Sequence, residues 1–218
     1  MAWTAPVTWL AGSTLTAAQL NEQVRDNSLA GGPIYTTEAL RDAAIPTPYE
    51  GQRAYITATT IATAAGQITA IPTGLQTIYN GSVWVCVTQV GATTNTSCST
   101  TTTASFADPS TAGGTNPTVT LVTGTTAVVD TTSTTYNSAG GAYSFVSFAV
   151  SGATTLAGSE AASYYYSGLG AVQADIVLSK RIVITGLTAG TNTFTMKYKA
   201  SSGTSNYAYR SITVQGIA

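Results

Sequence analysis

From Pro117 to the carboxyl end the chain is a succession of strand-length runs, separated by clusters of Gly, Ser, Thr and Asn. The runs cover 119–121, 127–129, 143–150, 176–184, 193–199 and 207–214. Punctuation at this spacing restricts the fold to an antiparallel β-sandwich of jelly-roll-like type. In the run 193–199, Phe194, Met196 and Tyr198 alternate with Thr195, Lys197 and Lys199, which predicts one buried and one wet face. The run 143–150 differs: Tyr143 and Phe145 occupy one face, and Val146, Phe148 and Val150 the other. A strand apolar on both faces needs cover on both. A two-layer sandwich covers one of them, so a neighbouring subunit is expected over the other.

Charge supports that expectation. Only 8% of the residues are charged, against about a quarter in an ordinary soluble domain. Few lysines are left to guard sheet edges, and an isolated monomer would risk edge pairing. Oligomerisation closes those edges. Its interface candidates are Tyr143, Phe145, Phe148 and the run Tyr164, Tyr165 and Tyr166. The phenylalanines would serve equally as the protomer's own core, whereas three consecutive tyrosines cannot all face one way. The formal net charge of −1 gives no basic stripe for nucleic acid. Lys180, Arg181, Lys197, Lys199 and Arg210 stand against Asp175 alone in 175–218, which reads as a solvated strand face.

Upstream, four pieces are expected: a docking segment over 1–32, a small β-module over 33–90, a Thr/Gly-rich linker over 91–116, and the sandwich over 117–218. In the first, Thr16 and Gln19 fit a capping box, and Leu15 and Leu20 a hydrophobic staple. Ala17, Leu20 and Val24 then share one narrow helical face, and Gly31-Gly32-Pro33 stops the helix. So thin a stripe must pack on something. It packs either on its own domain, with Trp3, Trp9 and Leu10 nearest, or on another protein. The small module opens with a short helix capped by Thr37 and ended by Ile45-Pro46-Thr47-Pro48. A strand over 53–60 follows, then strands over 75–79 and 83–87 around Asn80-Gly81, the pair that suits a type I′ hairpin turn. Trp84 and Tyr79 are placed to cover its core.

The pattern Thr8-Trp9, Ala11-Gly12, Leu15-Thr16-Ala17-Ala18-Gln19-Leu20-Asn21 and Val24-Arg25-Asp26-Asn27 resembles the amino-terminal signature of small virion proteins of tailed bacteriophages. These are minor tail proteins, tail fibres or head fibres. A looser similarity, to a β-module near the base of phage fibres, covers 38–57 and 78–85; such modules often carry an aspartate after Tyr-Ile-Thr, where this chain has Ala58-Thr59. The resemblance implies a homotrimeric structural protein of the virion, assembled in the host cytoplasm. Trp3, Trp9, Leu10, Leu20 and Val24 would dock it to capsid or tail proteins.

Catalysis is argued against by what is missing. The chain has no histidine, which removes imidazole as base, shuttle or metal ligand. Asp108, Asp130 and Glu160 are isolated, and no metal-ligand spacing is present. Ser179 and Lys180 are strand neighbours that point to opposite faces. No enzyme activity, cofactor or metal site is expected, and no signal peptide or membrane insertion. Cys86 and Cys98 are expected as free thiols. The alternative to a structural role is an adhesin for host-surface glycan. Tyr207, Tyr209 and Tyr164 to Tyr166 would then be stacking groups, aided by Lys197, Lys199 and Arg210.

Overall fold

The computed structural model describes residues 32–58, 68–70, 74–111, 115–168 and 175–218, with Thr14 and Thr16. The expected amino-terminal helix and the docking residues Trp3, Trp9, Leu10, Leu20 and Val24 lie outside the described residues. The chain is mainly β, arranged in three sheets.

The small module holds β1 (Ile34–Tyr35), α1 (Glu38–Ala44), β2 (Arg53–Ile56), β4 (Leu75–Tyr79) and β5 (Trp84–Cys86), while β3 (Ile68–Ala70) leaves to join a larger sheet. β1 runs parallel to β2, and the remaining pairs are antiparallel. Thr37 caps α1 by accepting from the Leu40 amide at 3.3 Å, and the Ile45 amide closes it on the Arg41 carbonyl at 2.8 Å. Pro46 and Pro48 follow, so the helix cannot resume. Asn80-Gly81 does turn the chain between β4 and β5, but not as the expected type I′ pair. The last paired residues are Tyr79 and Trp84, which leaves 80–83 as the loop, and only Gly81 has positive φ, at 88°. Asn80 Oδ1 accepts from the amides of Ser82 at 3.1 Å and Val83 at 3.0 Å. That side chain supplies the turn a second left-handed residue would otherwise set up.

The rest is a sandwich built from β6 (Val90–Thr94), β7 (Cys98–Thr101), β8 (Thr118–Thr123), β9 (Thr126–Asn137) and β10 (Tyr143–Gly152). It is completed by β11 (Tyr164–Ser167), β12 (Ile176–Thr185), β13 (Gly190–Ala200) and β14 (Thr204–Ile217). One sheet has the order β11-β10-β13-β8; the other runs β12-β9-β14-β6-β3, with β7 also on β14. All six expected runs are strands, most of them longer than their apolar centres. The stretch 91–116 is not a linker where it is described. β6 and β7 are both paired antiparallel to β14, and Ala107 bridges Tyr198 at the edge of β13. Threonine is β-branched and settles on a pleated surface once a neighbouring strand offers its hydrogen bonds.

The core lies between the two large sheets. Val146, Phe148 and Val150 of β10 face inward with Phe194, Met196 and Tyr198 of β13. Val129 of β9 and Tyr207, Ile212 and Val214 of β14 meet them from the other sheet. The small module docks on one end of the sandwich at two glycines. A Cβ on Gly216 would come within 2.7 Å of the Cys86 carbonyl and of Val85 Cγ1, and one on Gly124 within 3.0 Å of Asn80 Nδ2 and 3.4 Å of Val85 Cγ2. Only glycine lets β5 come this close.

β14 carries one irregularity that decides which residues face in. Ala208 opposes Thr134 and Ser211 opposes Thr132, so Tyr209 and Arg210 together face Ser133 alone. This is a β-bulge, and Tyr209 is held at φ 47°. Before it Ser205 and Tyr207 are buried; after it Arg210, Ile212 and Val214 are.

Candidate binding surface

Residues expected to act together are separated by this architecture. Of the aromatic interface candidates, Phe148, Tyr164 and Tyr166 are buried in the protomer's own core, which corrects their assignment to a subunit interface. Tyr164 donates its hydroxyl to Ser133 Oγ at 2.8 Å. The strand alternation that buries Val146 and Phe148 turns Tyr143 and Phe145 outward, and in β11 it turns Tyr165 outward between its two buried neighbours.

The expected glycan-stacking set is also divided. Tyr207 is buried, with its ring 4.6 Å from that of Tyr198 and its hydroxyl donating to the carbonyls of Phe145 (3.2 Å) and Lys199 (3.1 Å). Arg210 is buried too, because the bulge turns it inward. Its guanidinium donates to Tyr198 Oη at 3.0 Å, Asn116 Oδ1 at 3.1 Å and the Thr96 carbonyl at 3.1 Å. Neither side chain can stack on a ligand at the surface. Of the stacking tyrosines, Tyr209 is left exposed on the outer face of β14 and Tyr165 on that of β11. Lys197 and Lys199 lie on the outer face of β13 and are held by Asp108 at 2.7 Å and Glu160 at 2.6 Å.

The outward side chains of β10, β11 and β13 form a cluster that no single run of sequence announces. Phe145 is opposite both Tyr165 and Lys199, so the three make one row across the strands. Ring centroids are 5.6 Å apart for Phe145–Tyr165, 5.4 Å for Tyr143–Tyr165 and 5.9 Å for Tyr143–Phe145. Phe106, from the strap along β13, adds an edge contact to Phe145 at 6.3 Å. Lys199 Nζ sits 5.2 Å over Phe145 and 5.9 Å over Phe106. Tyr143 is 40% exposed and Tyr165 60%. The pairings of β11 and the strap could not be read from sequence, since β11 and the Phe106 segment carry no alternation of their own.

A cavity of about 190 Å³ lies at the seam between module and sandwich, lined in part by Glu38, Arg41, Trp84, Cys86 and Thr120. The Arg41 guanidinium lies 4.7 Å over the Trp84 ring and is held by Asp42 at 2.8 Å. Glu38 Oε2 is buried without a hydrogen-bond partner among the described residues. Cys86 and Cys98 are unpaired and buried, and burial pushes both thiols up to about 11, against smaller lowering contributions from the Thr88 backbone and from Arg210 respectively. Both are therefore protonated and poor nucleophiles near neutral pH. Burial likewise raises Tyr164, Tyr198 and Tyr207 well above the ordinary phenol. Among the described residues no group of Cys, Asp and Glu is assembled to hold a metal ion, and no helix is long and apolar enough to cross a membrane.

No family model and no curated protein sequence matches the chain. Among solved structures, Eiger TNF from S. frugiperda is similar over 59% of this chain and 92% of its own, with 12% identity and a TM-score of 0.39. The CBM22-1 xylan-binding domain from Paenibacillus barcinonensis Xyn10C is similar over 79% of this chain and 100% of its own, with 10% identity and a TM-score of 0.27. Similarities this distant carry no argument about what this chain does.

Proposed function

We propose that the protein is a structural, non-catalytic appendage of a tailed-phage particle. In this reading a β-sandwich body self-assembles, with three copies the expected number, and the amino-terminal segment holds it to the virion. The amino-terminal resemblance supports the setting. The observation that carries self-assembly is β12. This ten-residue strand ends its sheet and, among the described residues, pairs with β9 alone. Val177 and Val183 are 68% and 57% exposed on its outer side, and Leu178, Ile182 and Ile184 are only half-buried on its inner side. A long, mostly aliphatic edge of this kind is what a second chain covers. Lys180 guards its middle, donating to the carbonyls of Ala161 at 2.9 Å and Ser163 at 2.8 Å. The non-catalytic reading is supported by the lack of histidine and by Asp108, Asp130 and Glu160 each facing a Lys or Arg.

Light scattering across a dilution series tests the assembly. A stable mass of three protomers that Val183→Lys reduces is expected, and a monomer at every concentration would sink it. Deleting residues 1–32 should leave a folded body that no longer joins particles. A second reading, recognition of host-surface glycan, is favoured by one observation, the exposed cluster of Tyr143, Phe145 and Tyr165.

A further inference from the structure

We propose that the face formed by Tyr143, Phe145 and Tyr165, bordered by Lys199 and Glu160, binds a neutral β-linked oligosaccharide of the gluco type. This rests on the glycan reading and is independent of attachment to a particle.

The chemistry is set by the surroundings of the rings. A pyranose whose substituents are all equatorial presents its axial C–H groups as an apolar face, which suits an aromatic ring, while its hydroxyls point sideways. The sideways partners are in place: Lys199 Nζ donates to Glu160 Oε1 at 2.6 Å, so a donor and an acceptor stand together at the margin of the cluster. Charged partners make the stronger hydrogen bonds to such hydroxyls. Both the Tyr143 and the Tyr165 ring are exposed, so their phenol hydroxyls can reach a ligand as well. The Tyr165–Phe145–Lys199 row crosses three strands, a span of about 10 Å at the usual strand spacing. Two sugar rings fit along it.

Two other occupants fit less well. A quaternary or primary ammonium needs rings that stand apart to enclose it. Here the rings are in contact at 5.4–5.9 Å, which leaves no gap between them to enclose a cation. A second copy of the chain would strip water from two bordering ion pairs, Lys199–Glu160 and Lys197–Asp108. Stripping that water is unfavourable unless new polar partners replace it. Sugar hydroxyls replace it.

The test is calorimetric titration of the full-length protein with cellohexaose, with choline chloride in parallel and light scattering on the same samples. Saturable binding of cellohexaose is expected. Tyr165→Ala and Tyr143→Ala should each weaken it by about tenfold, with the melting temperature little changed, since both side chains stand outside the core. Glu160→Gln should weaken it by a smaller factor. No saturable heat with cellohexaose, or binding of choline instead, overturns the proposal. So does a fall in oligomer mass on Tyr165→Ala, which would make this face a contact between copies. If cellohexaose fails but a panel of α-linked glycans is bound and Tyr165→Ala abolishes that binding, the sugar class is wrong and the glycan reading stands.

Discussion

The two halves of the sandwich core are held together by different physics. Around Phe194 the interior is apolar: Phe148 lies 6.1 Å from it ring to ring, with Val119, Val129 and Val150 in the same cluster. Further along the same strands the inward positions of β9 become Thr131, Ser133, Thr135 and Asn137, all buried. There Ser133 and Thr135 are linked at 2.9 Å, Asn137 Nδ2 donates to Ser205 Oγ at 2.9 Å, and Ser144 Oγ donates to Ser205 at 2.7 Å. Burial in the first half is non-directional and contributes most of the free energy. The second half gains about 1 kcal/mol net per hydrogen bond, but each bond fixes an angle. The hydroxyl-lined half therefore specifies geometry more than it supplies stability, and the exposed aromatic cluster sits on the outside of that half.

Four measurements can break this contrast or sharpen it. Phe194→Ala should cost about 3–5 kcal/mol in chemical denaturation; a loss below about 1 kcal/mol would mean the apolar half is not the main support. Alkaline titration should come next in effect. Cys86, Cys98, Tyr164, Tyr198 and Tyr207 all have folded-state values raised by burial from ordinary values of 9.0 for the thiols and 10.0 for the phenols. Their contribution is fully present below those ordinary values and is lost as pH rises toward and through the folded ones. The melting temperature should hold up to about pH 9 and fall above it, and both thiols should resist alkylating reagents until the protein unfolds. Asn137→Ala removes the bonds to Ser202, Ser205 and Ala139 and should cost about 1–3 kcal/mol. An equal or larger loss than at Phe194 would reverse the ranking of the halves. Tyr209→Gly, which relieves a left-handed tyrosine, should stabilise by up to about 1 kcal/mol.

The strands are legible in the sequence because the physics behind them is local. Alternation in 193–199 places Phe194, Met196 and Tyr198 inward as they are found, and the run 143–150 divides as read, with Tyr143 and Phe145 on one face and Val146, Phe148 and Val150 on the other, although nothing local marks the first face as the outer one. The Thr37 cap is legible for the same reason. The features that escape a reading of sequence depend on partners remote along the chain. β6 and β7 look like linker until β14, more than a hundred residues later, supplies their ladder. Tyr207 and Arg210 look like surface groups because nothing local marks a bulge at Tyr209. The candidate surface is half legible, since Tyr143, Phe145 and Tyr165 stand out together, though as a contact between subunits. Their conjunction with Phe106, Lys199 and Glu160 comes from tertiary structure alone.

The bulge also bears on how the chain tolerates a change of length. With Tyr209 deleted, Arg210 would stand opposite Ser133 in unbroken alternation, and Ile212 and Val214 would keep their inward positions. Deleting any other single residue of β14 on the carboxyl side of the bulge would swap the wet and dry faces of the remainder of the strand. Tyr209 is thus a supernumerary residue in a fourteen-residue strand, one place where a codon can be lost without rewriting the interior. Such a loss would remove the local coil of the strand and the tyrosine it displays.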